Sequence, residues 1–376
     1  METINVLDLN KLFETHLTDE NKEDLTEIFQ EFKREHYPNV LSKTKLAANQ
    51  YPDDENLNEF LDILNVISHT EIGELKASKE IIERLFRNAD KNKEINLVQL
   101  AELAFMSDYR LSRRIMTEAI KRLENDAKPD SLTLARAYLV LGEAEENLQK
   151  FKRAIKYFQK GLKYYQTTNQ ASEDNHLPIY LNFKIGMLNS TLHETEEAIS
   201  YFKRTNELAV NQHADIKAFS LIGLAKTYAT NDMADSAYPH LIEALEIIEG
   251  SSLTDSLTHA EAITELAFYY FTKSKLKEAI PYYEQAINTY MKQPRYSARM
   301  LGMIYMQYAY CLNHEEEANK VQAGQTYERA IELLEKANDP ELLENALADV
   351  IAFFDQTKND KKKRVFEEKL VKIMAD

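Results

Sequence analysis

In the stretch ITELAFYYFTKSKLKEAIPYY, the apolar positions Ile263, Leu266, Ala267 and Tyr270 step by three and four. Past a polar KSK come Ala279 and Tyr283. This spacing predicts two helices, each with one apolar face, joined by a short turn. The arrangement recurs. A small residue sits midway along the first helix at Gly142, Gly186, Ala225, Ala267 and Ala309, at intervals of 44, 39, 42 and 42 residues. Twelve residues after each of the first four lies a second small residue, Ala154, Ala198, Ala237 and Ala279. One turn further lies a large one, Phe158, Phe202, Leu241 and Tyr283. In the fifth copy Ala323 follows after fourteen residues, with Tyr327 behind it, so two extra residues sit in the turn.

A period near 40 residues with two helices per unit predicts a helical solenoid. The expected fold is all-α, a right-handed superhelix of antiparallel helix pairs. Close packing explains the small residues. Gly142 lies inside LGEAEENLQKFKRAIKYF, otherwise a good helix, and glycine there costs about 1 kcal/mol relative to alanine. A close approach by the second helix would offset that cost, with Ala154 facing the gap and Phe158 filling it. Pro239 and Pro281 each follow the paired alanine by two residues, which places them early in the second helices.

The flanks are helical, but there the repeat fades. Val98–Glu124 and Asn58–Phe86 read as degenerate copies. Amphipathic pieces at Leu7–Leu17 and Glu20–His36 break near Tyr37–Val40, and Thr18 is a candidate N-cap. Four segments are expected: an N-terminal helical bundle or cap over 1–53, degenerate helical repeats over 54–130, five repeats over 131–338 and a capping helix pair over 339–376.

Composition narrows the function. The 376 residues contain only 8 Gly and 8 Pro, so long loops should be scarce. A formal net charge of −16 disfavours nucleic-acid partners, which need clustered Lys and Arg. The one basic run, Lys358–Arg364, reads as a solvated helix start. The lone Cys311 excludes an internal disulfide and a Cys-rich metal site. METINVLDLNKLFETHL lacks the basic start and apolar core of a signal peptide, and no apolar run reaches the roughly 18 residues of a membrane span. The expected location is cytoplasmic. No phosphate loop, nucleophile elbow or HExxH occurs. His193 and His314 adjoin acidic runs that belong in solvated turns. No catalytic residue, metal or cofactor is expected.

The order small residue, alanine, aromatic resembles the tetratricopeptide repeat over roughly Ser131–Asn338. The common repeat has about 34 residues and these have about 40. In that respect the chain resembles the long-repeat Rap/NprR/PlcR peptide-sensing regulators of Gram-positive bacteria. In solenoids of this kind the first helices line a concave groove. The residues beside each packing face become peptide-binding candidates: Leu139, Glu143 and Glu146; Phe183 and Met187; Ile222 and Lys226; Thr264, Phe268 and Phe271; Met306, Tyr310 and Asn313. Ordinary core burial is the competing reading for each of them. The two acids would hold a basic or N-terminal group. Only Lys226 and Arg136 could supply the positive lining of chaperone-tail binders, so that ligand class is disfavoured.

The resemblance implies a regulator that senses a short, largely apolar signalling peptide and controls a protein partner through its N-terminal helices. The alternative is a constitutive assembly scaffold without a peptide signal. A DNA-binding regulator or response-regulator phosphatase has less support: residues 1–50 show no helix-turn-helix, and no phosphatase residue can be matched. Homo-oligomerisation is left open.

Overall fold

The computed structural model describes residues 8–168, 176–209 and 213–375. Residue Leu7, with which the first amphipathic piece was expected to begin, lies outside them. The described residues form nineteen α-helices, and none is long and apolar enough to cross a membrane. The chain divides into two compact units, 1–188 and 189–376.

Unit 1 begins with α1 (Leu9–His16), α2 (Lys22–Lys33), α3 (Tyr37–Gln50) and α4 (Glu55–Glu71). Leu25, Ile28 and Phe29 of α2 and Val40 and Ala47 of α3 share one core with Leu57, Phe60 and Leu64 of α4. Thr18 does not cap α2. That helix starts after Asn21, whose backbone N–H donates to Thr18 Oγ1 at 3.3 Å while its own Oδ1 accepts from Thr18 N at 2.8 Å. Reciprocal bonding holds the two residues together as a turn. Next come α5 (Leu75–Arg87), α6 (Leu97–Phe105), α7 (Tyr109–Glu124), α8 (Ser131–Asn147) and α9 (Phe151–Thr167), and α10 (His176–Thr191) contains the division. Glu59 is buried yet satisfied, accepting backbone N–H groups from Lys93, Glu94 and Ile95 at 3.0–3.1 Å.

Unit 2 holds α11 (Thr195–Leu208), α12 (Ala214–Ala229), α13 (Ala234–Glu249), α14 (Leu257–Thr272) and α15 (Leu276–Met291). It continues with α16 (Ala298–His314), α17 (Lys320–Leu334), α18 (Pro340–Gln356) and α19 (Asp360–Ala375). Cys311 is fully buried in α16. Pro239 and Pro281 are each the sixth residue of their helix, just past the first turn.

The small-residue register is visible in the packing. Ala154, Ala198, Ala279 and Ala323 are wholly buried, as are Phe158 and Tyr283. A Cβ on Gly142 would meet Phe158 Cε1 at 2.3 Å. The Phe158 ring therefore occupies the space that any side chain at 142 would need. In unit 2 the Phe202 ring also lies against Gly223, a glycine outside the five small positions, where an added Cβ would be 2.7 Å from it.

A second register lies in the turns. Seven residues after each of the first four small positions stands a non-glycine residue in the left-handed conformation: Gln149, His193, Asp232 and Ser274, with φ of 56–60°. In each case the next N–H reaches back to close the helix, from Lys150 to Glu145 O, Glu194 to Asn189 O, Met233 to Tyr228 O and Lys275 to Tyr270 O, at 2.8–3.0 Å. This six-to-one bond satisfies a carbonyl that the helix end leaves open. The fifth copy departs from the pattern, with Asn319 N bonding to Leu312 O across its two extra residues. The same turn ends α4 at Gly73 and α18 with Lys358, and so extends the hairpin pattern into the flanks. A left-handed L-residue costs roughly 1–2 kcal/mol, and glycine gives part of that back as unfolded-state entropy. Gln149→Gly and Ser274→Gly should therefore each stabilise their unit by about 0.5–1 kcal/mol, read by urea denaturation.

Candidate functional site

Within unit 2 the helices α14, α16, α17 and α18 enclose a cleft of about 350 Å³. Its walls follow helical periodicity. From α16 come Met306, Gln307, Tyr310, Asn313 and His314; from α18 come Asp349, Ala352, Phe353 and Gln356. Each set steps by three and four residues, so one face of each helix points inward. Phe271 of α14 and Tyr327 of α17 complete the lining. Core contacts fix α18: Phe353 meets the Tyr327 ring at 5.1 Å, and Phe354 stacks on Phe366 at 5.5 Å.

The rings form a connected group. Phe271 meets Tyr310 edge-on at 5.5 Å, Tyr310 stacks on His314 at 4.0 Å, and Phe268 stacks behind Phe271 at 6.1 Å. Tyr310 is 42% exposed, so this aromatic surface is open to solvent. The amides of Gln307, Asn313 and Gln356 add donors and acceptors suited to a peptide backbone.

Phe271, Met306, Tyr310 and Asn313 are thus brought together, with Phe268 adjoining. Other candidates are not on an open surface. Leu139, Ile222 and Thr264 are 3%, 3% and 8% exposed. They are corrected to core, because neighbouring helix pairs overlap on that face. Ile222, for example, packs with Ala244, Ile248 and Ala262. Glu143 is also buried and accepts a hydrogen bond from the Tyr180 hydroxyl at 2.9 Å. Burial raises its carboxyl above the usual range, with Tyr180 and Lys184 working against that shift. Glu146 pairs with Lys184 Nζ at 2.7 Å. Both acids are therefore engaged within the protein, which corrects the expectation that they hold a ligand's basic group. Phe183 is half-buried and Met187 is exposed, both in unit 1. Gln307, His314, Tyr327 and the α18 stripe were not anticipated. Among the described residues, no group of three His, Cys, Asp or Glu could hold a metal.

Lys226 is not a free cation either. Its Nζ lies 2.6 Å from Glu261 and 4.0 Å from Glu265. Burial opposes its charge, but the two acids outweigh burial and hold its pKa above the ordinary value. Glu265 goes the other way: burial pushes its carboxyl from 4.5 up to about 7, against the pull of Lys226. A raised folded pKa means the fold prefers the protonated acid. Its contribution to stability is complete below about pH 4.5 and is lost as pH rises to about 7. Glu265→Gln should therefore raise stability at about pH 8 and leave it unchanged near pH 4.5, measured by urea denaturation at both values.

Sequence profiles of the tetratricopeptide repeat match residues 135–168 and 216–292. The chain carries tetratricopeptide repeats in an all-α solenoid. No curated protein sequence matches it. Among solved structures it is similar to the apo form of RapI, at 13% identity over 95% of this chain and 98% of that one, with a TM-score of 0.59. It is also similar to the apo form of the quorum sensor NprR from B. thuringiensis, at 14% identity over 95% and 99%, with a TM-score of 0.58. A third is aspartyl phosphate phosphatase F from Bacillus subtilis, at 13% identity over 100% and 96%, with a TM-score of 0.53. At these identities the likeness is one of fold.

Proposed function

We propose that this protein is a peptide-binding regulator. The α14–α18 cleft takes an apolar side chain of a short signalling peptide, and occupancy alters how the N-terminal helices engage a protein partner. The observation that carries the reading is the cleft itself: an open aromatic surface rimmed by three amides, lined chiefly by first helices of successive pairs. Concave, mostly apolar sites with a few polar groups are where small ligands bind. The fold shared with NprR, described as a quorum sensor, supports the same class. A ligand can shift the chain between conformations only by its differential affinity for them, and helix pairs that touch only their neighbours offer such alternatives. The phosphatase activity in the name of the third relative is not assigned to this chain.

The test is binding of a positional-scanning hexapeptide library to the full chain. Saturable one-to-one binding with selection for apolar residues at one or more positions is expected. Absence of selection at every position would favour a constitutive scaffold.

A further inference from the structure

We infer that the exposed faces of α7 and α9 form one basic docking surface, and that it takes an acidic segment of a protein partner. The surface belongs to unit 1 and stands independently of the peptide cleft in unit 2.

α9 is unusual in composition. Its seventeen residues, FKRAIKYFQKGLKYYQT, hold five Lys or Arg and no Asp or Glu, in a chain where acids outnumber bases 62 to 46. The cations also sit where a helix disfavours them. Lys152 and Arg153 lie in the first turn and no cation lies in the last, although a helix attracts anions at its start and cations at its end. Lys152, Lys156 and Lys160 follow one another at intervals of four, which sets like charges face to face. A local cost with no local gain belongs to residues with a role outside the fold.

The repeat extends the pattern to α7. Counting back 42 residues from Ala154 and Phe158 reaches Ser112 and Met116, both wholly buried, so α7 and α9 share a register. In that register Lys152, Lys156 and Lys163 correspond to Arg110, Arg114 and Lys121, and all six are exposed. Each trio steps by four and seven residues, so it keeps to one side of its helix over about 16 Å. The next second helix breaks the pattern: 44 residues on from Lys152 and Lys163 stand Glu196 and Glu207 of α11.

Two bridges set the rows side by side. Arg113 of α7 and Arg153 of α9 both lie 3.9 Å from Glu145 Oε1. Near the other ends of the helices, the Tyr164 hydroxyl of α9 donates to Glu124 Oε1 of α7 at 2.9 Å. Start is joined to start and end to end, so the helices run in the same direction. Among the described residues Arg110, Lys121, Lys152, Lys156 and Lys163 make no ion pair, and Arg114 has only Glu83, at 3.7 Å.

The setting selects among polyanions. A nucleic acid or an anionic bilayer extends far beyond these rows, and a chain of net charge −16 repels whatever overhangs them. Between the cations lie Thr117 and Gln159. These are neither the aromatic platforms on which single strands stack nor the apolar residues that enter a bilayer. A protein segment carrying a few carboxylates matches a surface of this size and overhangs little.

The probe is an alanine-based helical peptide of about sixteen residues with six Glu, compared with its Gln counterpart by fluorescence anisotropy against the full chain. At about 50 mM salt the Glu peptide should bind about tenfold or more tightly than the Gln peptide, and the advantage should shrink as salt rises. In the triple variant Lys152→Gln, Lys156→Gln, Lys163→Gln the advantage should fall to about twofold or less. Thermal denaturation should show that variant at least as stable as wild type. A control triple on α19, Lys361→Gln, Arg364→Gln, Lys372→Gln, removes three exposed cations from unit 2 and should keep the full advantage. No advantage for Glu in wild type would overturn the inference. So would an equal loss in the α19 control, which would report net charge alone, or a destabilised α9 variant, which would assign the cations to the fold. Tighter binding of a DNA duplex of about 20 base pairs, or of phosphatidylserine vesicles, lost in the α9 variant, would overturn it in favour of nucleic acid or membrane.

Discussion

Gly142→Ala is expected to destabilise unit 1 by about 1–2 kcal/mol, although alanine is the better helix former. Propensity alone predicts a gain of about 1 kcal/mol. Against it stands the Phe158 ring, whose Cε1, Cδ1 and Cζ atoms would lie 2.3, 2.5 and 3.0 Å from the new methyl group. The ring is wholly buried and cannot swing into solvent. Forcing an extra methyl into a packed core costs about 1–3 kcal/mol, and more where relaxation is blocked. Gly250→Ala serves as the comparison: its nearest atoms would be backbone oxygens at 3.7 and 3.9 Å, and its φ is −88°. That change should be neutral or slightly stabilising. Adding Phe158→Leu to Gly142→Ala should recover part of the loss, a coupling that urea denaturation of the double-mutant cycle reads directly. Equal tolerance at Gly142 and Gly250 would mean the helix pair is looser than described.

The second large effect belongs to the cleft. Phe271→Ala together with Tyr310→Ala should weaken binding of a library-selected peptide by tenfold or more. Each ring contributes roughly 1.5–3 kcal/mol when a ligand covers it, and 1.4 kcal/mol is a factor of ten. Tyr310 is exposed and Phe271 only partly buried, so the global stability of the double variant should fall far less than its affinity. Leu139→Ala should do the reverse. That side chain is 3% exposed, and its loss should cost about 2–5 kcal/mol of stability. Titration calorimetry and denaturation on the same two variants separate the roles. A double variant that unfolds would place the two rings in the core, and one that binds normally would place the ligand elsewhere.

How much was legible in the sequence follows from what each signal measures. The spacing of Gly142, Ala154 and Phe158 reports steric need, which local sequence expresses fully, so the helix pairs over 131–338 were visible. The groove residues depend on how neighbouring pairs overlap, which no single helix encodes. Leu139 and Phe271 look alike by periodicity, yet the first is sealed in the core and the second opens on the cleft. The α18 stripe was missed for a specific reason. Counting back seven residues from Lys358, the left-handed residue of its turn, leads to Ile351, where the other copies carry Gly or Ala. Without the small residue the repeat appeared to end, and 339–376 reads from sequence as a capping pair with no part in the site. The engagement of Glu143 and Glu146 was equally hidden, because Tyr180 and Lys184 lie 37 and 38 residues further along the chain.

The placement of Cys311 gives the molecule a reporter of its own. It is the only thiol in the chain, it neighbours Tyr310 of the cleft in sequence, and burial pushes its pKa up to about 12. A closed α16–α17 pair presents alkylating reagents with neither access nor thiolate. Labelling must wait for the core around the thiol to open, so its rate is a clock for that opening. A ligand seated on the neighbouring residues of α16 slows that clock in proportion to how tightly it holds the closed form. The unmodified chain can thus be screened for occupants by mass alone, with no dye, tag or introduced cysteine.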